Sequence, residues 1–560
     1  MNDEVPGFTL ASRSEWGRSL IGVGGTYEVV EEDVLGERMP VFRERQRSVL
    51  ALLVRGTEAF PDNDYLADET RRLTYAQHLR AVAALAHRLR DEHGVEPGDR
   101  VAINAANRLE WVLAFWAAHA TGAIAAAMNS FWSDPELAAG IASAEPRVVI
   151  GDGRRLEHVA RVAPDVPRLE MTDALWAELT LSGAVALPTI PVPDEDDPAM
   201  LLYTSGTTGL PKAVAHSHRG IVGFVQCNHF NAALRLGHAN PLPGQRVLVS
   251  SPLFHLSALY GAVLLATVSG GLLVMRPGRF DEVETMRAIE RERITLWPSL
   301  GSAAPRVAEH PELPQHDLSS LVSVVIGGAP VSPLVKRRLA EAFPSAAMGF
   351  RMGYTSTEGG SIVASIGGPE FHDHPESTGP LQDGVEVRFV GPGGNDVAPG
   401  DEGEIYVRSP YLMLGYWRDQ AATDAVLRPG RWLAMGDVGS LQDGRLYVNS
   451  RARDLIFVSA ENVYPTEVEF RIEAHPAVTE AAVVGVDDPI TGQAVKAFVV
   501  VGDEPVSESD VAAWCRAALP PYKVPTQWVF QKEPLPRNAT GKVLRTALLG
   551  EESSSAVIDA

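Results

Sequence analysis

The chain has 560 residues, 45% apolar and 21% charged: enough apolar content for large buried cores and too much for wholesale disorder. Its 49 basic and 71 acidic residues leave a net charge of −22, which argues against a nucleic-acid partner whose phosphates need a broad basic surface. Two cysteines, Cys227 and Cys515, are too few for a disulfide framework or a cysteine-rich metal site, and the start MNDEVPGFTL lacks a secretory pattern, so a cytoplasmic protein is expected.

Residues 1 to about 45 read as an N-terminal arm of mixed charge without clear periodicity. From Ser48 to about Ala186, strand-like runs (VAINAA, RVVIGD) interleave with amphipathic stretches such as TYAQHLRAVAALAHRLRDE, the pattern of a parallel, doubly wound sheet. The apolar stretches Val112–Met128 and Ala258–Met275 sit near the lower length limit of a membrane span. The first carries His119 and the second is broken by Ser269-Gly270-Gly271, so both are read as buried α/β core. The segment LPTIPVPDEDDP is a proline-rich acidic connector. A second α/β run extends from Ala199 to about Gly368, with strands at RVLVSS, GLLVM, ITLWP and LVSVVIGG. From Gly379 to Val448 short β runs separated by Gly and Pro clusters suggest a small barrel or sandwich, and after Asp454 the pattern returns to α+β.

Leu201–Val214, LLYTSGTTGLPKAV, is the sharpest local feature. A strand-like run leads into glycines that let backbone N–H groups converge on a polyphosphate, flanked by the hydroxyls of Thr204, Ser205, Thr207 and Thr208. It is not a Walker A loop: two residues separate Gly206 from Gly209, and proline precedes Lys212. Only six of the 49 basic residues are lysine, so Lys212 and Lys542 stand out as positions that need a compact ammonium. His216 with His218, and His372 with His374, lack further ligands at metal spacing and are read as packing or surface residues.

YTSGTTGLPK resembles the phosphate loop of the adenylate-forming superfamily, which includes acyl- and aryl-CoA ligases. SPLFHLSALYG, VVIGGAPVSP, GYTSTE, STGP, GDEGEIYVRSPYLMLGYW, MGDVG, RARDLIFVSAENVYPTEVE and LPRNATGKVLR follow in the family's order, covering roughly residues 70–546. The resemblance implies an α/β protein: a large N-terminal body (1–452) of two doubly wound α/β subdomains plus a small β-barrel, and a smaller mobile α+β C-terminal domain (453–560). It implies an ATP-dependent carboxylic acid–CoA ligase that forms an acyl-adenylate and then a thioester. Thr204 and Glu358 would hold Mg²⁺, and Ser205, Gly206, Thr207, Thr208 and Lys212 would cradle phosphates. Tyr354 would stack on adenine beside Gly328 and Ala329, with Thr357 near the α-phosphate. Asp437 and Arg451 would contact ribose, His255 would gate the acyl pocket, and Lys542 would bridge the carboxylate and α-phosphate. The expected partners are a carboxylic acid, ATP and CoA, with no nucleic acid and no membrane span, on a monomer or homodimer.

The pair Ser459-Ala460 departs from the family's Gly-Gly at the pantetheine tunnel, and Met435 and Ser450 depart from neighbouring motif positions. An amine or a carrier-protein thiol is therefore an alternative acceptor, and a non-catalytic nucleotide-binding relative a second alternative. Trp297, Leu259 and Tyr260 are expected to crowd the acyl pocket, slightly favouring a medium-sized or aromatic acid.

Overall fold

Local capping explains where the main helices begin. Thr74 opens helix Tyr75–His93 with a reciprocal cap: its hydroxyl accepts from the Gln77 N–H while the Gln77 side chain accepts from the Thr74 N–H. Gly94, at φ 60°, ends the helix in the left-handed conformation that glycine adopts without a Cβ clash. Helix Leu109–Ala120 is apolar all round and is correspondingly buried on every face, with Trp111, Phe115 and Trp116 at its centre. No described helix is long and apolar enough to cross a membrane. The computed structural model describes residues 7–550, except 182, 184, 206–209, 238–243, 277, 279, 302, 328–330, 399, 460, 503–505 and 538–541.

Two mainly parallel sheets form the body. The first runs in the order Gly415–Tyr416, Pro211–Ser217, Pro198–Ser205, Ile124–Ala127, Arg100–Asn104, Val148–Gly151, Arg168–Glu170. The second runs Ala364–Gly367, Phe350–Tyr354, Ser323–Gly327, Leu296–Leu300, Arg246–Val249, Leu272–Met275, Asp64–Ala67, Arg72–Thr74. The two α/β runs of the sequence exchange strands between these sheets. Asp64–Ala67 leaves the first run to pair with Leu272–Met275, and Pro198–Ser205 joins Ile124–Ala127 of the first sheet. The exchange ties both halves into one body.

Two expectations change. The N-terminal arm is packed: Phe8, Tyr27 and Phe42 cluster with Phe230, with ring centroids 5.3–5.9 Å apart. Its helices are only four and seven residues long, too short to display a period. The acidic connector is pinned: Glu195 meets Arg45 at 2.9 Å and Arg219 at 3.0 Å, while Arg219 also holds Asp196 at 2.7 Å.

The glycine- and proline-punctuated region forms a six-stranded antiparallel sheet that includes Gly403–Arg408, Trp432–Gln442 and Arg445–Arg451. The chain then passes through the short turn Ala452–Asp454 into a five-stranded sheet covered by helices Pro465–Glu473 and Glu508–Arg516. That last unit has its own core of Val468, Ile472, Val483, Val499, Val511 and Cys515. A cleft of about 1900 Å³ separates it from the body, lined by Asn107, Phe254 and Gly327 on one side and Glu473, Arg537 and Lys542 on the other.

Candidate active site

Three separated stretches meet around Glu358. The antiparallel pairing of Pro211–Ser217 with Pro198–Ser205 sets Lys212 opposite Thr204. Gly415–Tyr416 pairs on the other side of Pro211–Ser217, and the Tyr416 hydroxyl donates to Glu358 Oε1 at 2.9 Å. Thr204 Oγ1 donates to the same oxygen at 3.4 Å, and the Lys212 ammonium lies 5.3 Å from the centroid of the Tyr416 ring. Burial and the Glu358 charge both raise the Tyr416 phenol, which keeps it protonated as a donor. Tyr416 lies inside one of the family-like motifs, but nothing in its local pattern assigns it to Glu358. Gly206, Thr207, Thr208, Gly328 and Ala329 lie outside the described residues, as does the side chain of Ser205.

Asp437 anchors a second cluster. Strand pairing places it opposite Arg451, whose Nε sits 3.0 Å from Asp437 Oδ1, and Tyr354 donates its hydroxyl to Oδ2 at 2.6 Å. Burial raises the Asp437 carboxyl, while Arg451, Tyr354 and Lys542 act to lower it. Lys542 reaches this cluster from the C-terminal domain. Burial first, and Arg451 next, push its ammonium down to about 8, with Asp454 acting in the opposite direction. Lys542 therefore stands near the Asp437–Arg451 pair.

His255 caps the short helix Leu256–Ala258; burial lowers it to about 4, and its ring centroid is 4.5 Å from that of Phe254, which lines the cleft. It is a neutral imidazole whose Nε2 makes no hydrogen bond among the described residues. The Thr357 backbone accepts from Gly360 N at 3.3 Å and lies beside the ring of His216. His216 is fully buried and lowered to about 4; neither of its nitrogens makes a well-formed hydrogen bond, and its ring meets Tyr260 edge-on at 5.7 Å. His218 accepts from Val49 N at 3.2 Å, and His372 bonds the Ala347 carbonyl at 2.9 Å, so both have structural partners. Among the described residues no group of three or more His, Cys, Asp or Glu could hold a metal ion.

The expected crowding of the acyl pocket is corrected. Trp297 points to the opposite side of its strand, bonding Ser250 Oγ at 2.8 Å and packing near Phe343. Leu259 and Tyr260 are fully buried in the body core. Period-two alternation turns Leu296 and Pro298, not Trp297, to the other face. The helical segment Leu256–Ser269, which includes the π-turn Leu259–Leu264, leaves Ser257, Gly261 and Leu265 half-buried at four-residue spacing. A Cβ built on Gly261 would meet nothing within 4 Å.

The family model for AMP-binding enzymes matches residues 53–417, and the model for the AMP-binding enzyme C-terminal domain matches residues 467–542. A feruloyl-CoA synthase from Amycolatopsis sp is 36% identical over 475 residues, 84% of this chain and 92% of the relative. An amide bond synthetase from Marinactinospora thermotolerans superposes with a TM-score of 0.78 at 30% identity, over 90% of this chain and 99% of that one. The o-succinylbenzoate CoA synthetase of Bacillus subtilis, solved with its acyl-adenylate intermediate, gives 0.75 at 28% identity, over 89% and 97%.

Proposed function

This chain belongs to the AMP-binding enzyme family, and on that premise we propose that it is an ATP-dependent carboxylic acid–CoA ligase. One observation carries the catalytic reading: Lys542 comes from the C-terminal domain and stands at the Asp437–Arg451 pair of the body. An ammonium in that place can offset negative charge as a carboxylate oxygen attacks the α-phosphorus of ATP and the bond to pyrophosphate breaks. Asp437 and Arg451 would then hold the ribose, Tyr354 the adenine, and Lys212 the departing phosphates. In the second half-reaction the thiol sulfur attacks the acyl carbon, AMP leaves, and the thiol gives up its proton.

Thr204 and Glu358 present hard oxygens 3.4 Å apart, a pair suited to Mg²⁺ beside phosphate. The metal would supply charge neutralisation. Tyr416 orients the Glu358 carboxylate for that task.

A second acceptor is favoured by one observation. Ser459 holds the left-handed backbone, φ 59°, at the position where the resemblance places a glycine of the pantetheine tunnel, so its side chain would narrow that tunnel. Transfer to an amine or a carrier thiol is the reading this supports. A pyrophosphate-release screen over carboxylic acids, with and without CoA and with mass spectrometry of the products, separates them. Acid-dependent pyrophosphate with an acyl-CoA product supports the ligase; an amide or carrier thioester identifies the other acceptor. Absence of acid-dependent pyrophosphate sinks both.

A further inference from the structure

The second sheet is packed on one face by Trp297, Val324, Ile326, Phe350 and Met352, a continuous buried layer. The opposite face is only partly covered where the strands are central. Along Ser323–Gly327 the residues Ser323, Val325 and Gly327 are half-buried, and Gly327 opens into the inter-domain cleft. Pairing aligns Pro298, Val325, Arg351 and Gly367 in one row across four strands. Gly367 matters in that row, because a Cβ there would stand 3.0 Å from Arg351 Cγ. The missing side chain leaves room for the guanidinium.

Arg351 is an unusual residue for this place. It projects from an interior strand, between buried Phe350 and Met352, and is itself exposed. Surrounding atoms nevertheless desolvate its guanidinium enough to lower it from its ordinary range. Its cross-strand neighbour Val325 lies two residues from Gly327, which lines the cleft, so Arg351 stands on the cleft-facing side of the sheet. Arg235, in the last turn of helix His218–Leu236, is exposed like Arg351 and close enough to it for the two charges to interact. Burial and the Arg351 charge lower it to about 10. Among the described residues its one hydrogen bond goes to the neutral Gln382 Oε1, at 3.3 Å. Among the described residues no carboxylate forms an ion pair with either arginine, although this acidic chain ties others down tightly, as Arg45 to Glu32 and Glu195. Two neighbouring cations without a counter-ion form a site for an anion.

Arg351 lies two residues before Gly353 on the same strand face, about 7 Å further from the nucleotide end marked by Tyr354. We propose that Arg351 and Arg235 bind a second carboxylate at the far end of the acid, so that the substrate is a dicarboxylic acid activated at one end only. This rests on the ligase reading above and names its substrate class. Arg351 is a binding residue for the distal group and takes no part in bond making.

The test compares acids matched in length: adipate against hexanoate, and terephthalate against 4-methylbenzoate, by pyrophosphate release. Wild type should favour the diacid in at least one pair by about tenfold or more in kcat/KM, the scale of a charge-assisted hydrogen bond. Arg351→Gln should remove that preference, lowering the diacid about 30-fold or more while changing the monoacid less than about threefold. Arg351→Lys should restore part of it, and Arg235→Gln, on a different element, should weaken it in the same sense. Equal use of the two acids by wild type overturns the anion site, as does equal loss for both in Arg351→Gln at unchanged Tm; either leaves the ligase reading standing. Release with no acid at all removes the ligase reading, and the diacid assignment with it.

Discussion

The nucleotide end and the acyl end of the cleft are held in opposite ways. At the proposed nucleotide end the protein's polar groups already hold one another: Thr204 and Tyr416 on Glu358, Tyr354 and Arg451 on Asp437. On the proposed acyl side, among the described residues, His255 has an unpaired ring nitrogen and Arg351 has no counter-ion. A partner common to every turnover is met by donors fixed in advance, which lose nothing to reorganisation at the reacting centre. A variable partner is met by unpaired groups, whose desolvation is repaid only when the matching atom arrives.

The largest break in that contrast should come from Lys542. Lys542→Ala removes the cation supplied across the cleft, and acid-dependent pyrophosphate release should fall by about 100-fold or more, with ATP binding nearly unchanged by calorimetry. A variant that adenylates within tenfold of wild type would show that the Asp437–Arg451 cluster works without it. Arg453→Pro addresses the motion between the two half-reactions. Arg453 is exposed in the turn that joins the body to the C-terminal domain, and proline there fixes φ. Single-turnover assays should show acyl-adenylate formed at a useful rate and thioester formed about tenfold or more slowly. Equal loss in both steps would mean misfolding instead.

Titration sharpens the comparison. The Lys542 ammonium is lowered to about 8 from an ordinary 10.5, so its charge is lost as pH rises through about 8. Pyrophosphate release should therefore decline on the alkaline side near that value. Arg453→Ala removes a positive neighbour and should move the decline upward; Asp454→Asn removes a negative one and should move it downward. A decline that ignores both substitutions belongs to another group. The smallest effect concerns Ser459, at φ 59°. Ser459→Gly should raise stability by about 1 kcal/mol, read from the urea midpoint, because glycine carries no Cβ penalty in the left-handed region. The added backbone freedom of glycine is thus outweighed by relief of strain at this position. If CoA is the acceptor, its use should change less than about twofold; a tenfold rise would point to an acceptor other than CoA.

The sequence alone determined what depends on neighbours along the chain: the alternation of strands and helices, the cap at Thr74, and the motif residues Thr204, Glu358, Asp437 and Lys542. Periodicity and capping act over one or two turns, and a motif keeps its meaning wherever the chain carries it. Only the tertiary structure decided what depends on distant partners. Asp64–Ala67 and Pro198–Ser205 cross between the sheets because an edge pairs with whichever strand lies beside it, whatever its place in the chain. Tyr416 acquires its role by meeting Glu358 across 58 residues, and Arg351 acquires its proposed role by standing near Arg235. Scarcity of lysine was an incomplete guide for the same reason: Lys336 is buried against the Phe371 ring and donates to the Pro375 carbonyl, a packing role that its neighbours in sequence do not reveal. Burial and charge pairing are properties of surroundings assembled from several elements, and those surroundings exist only once the chain has folded.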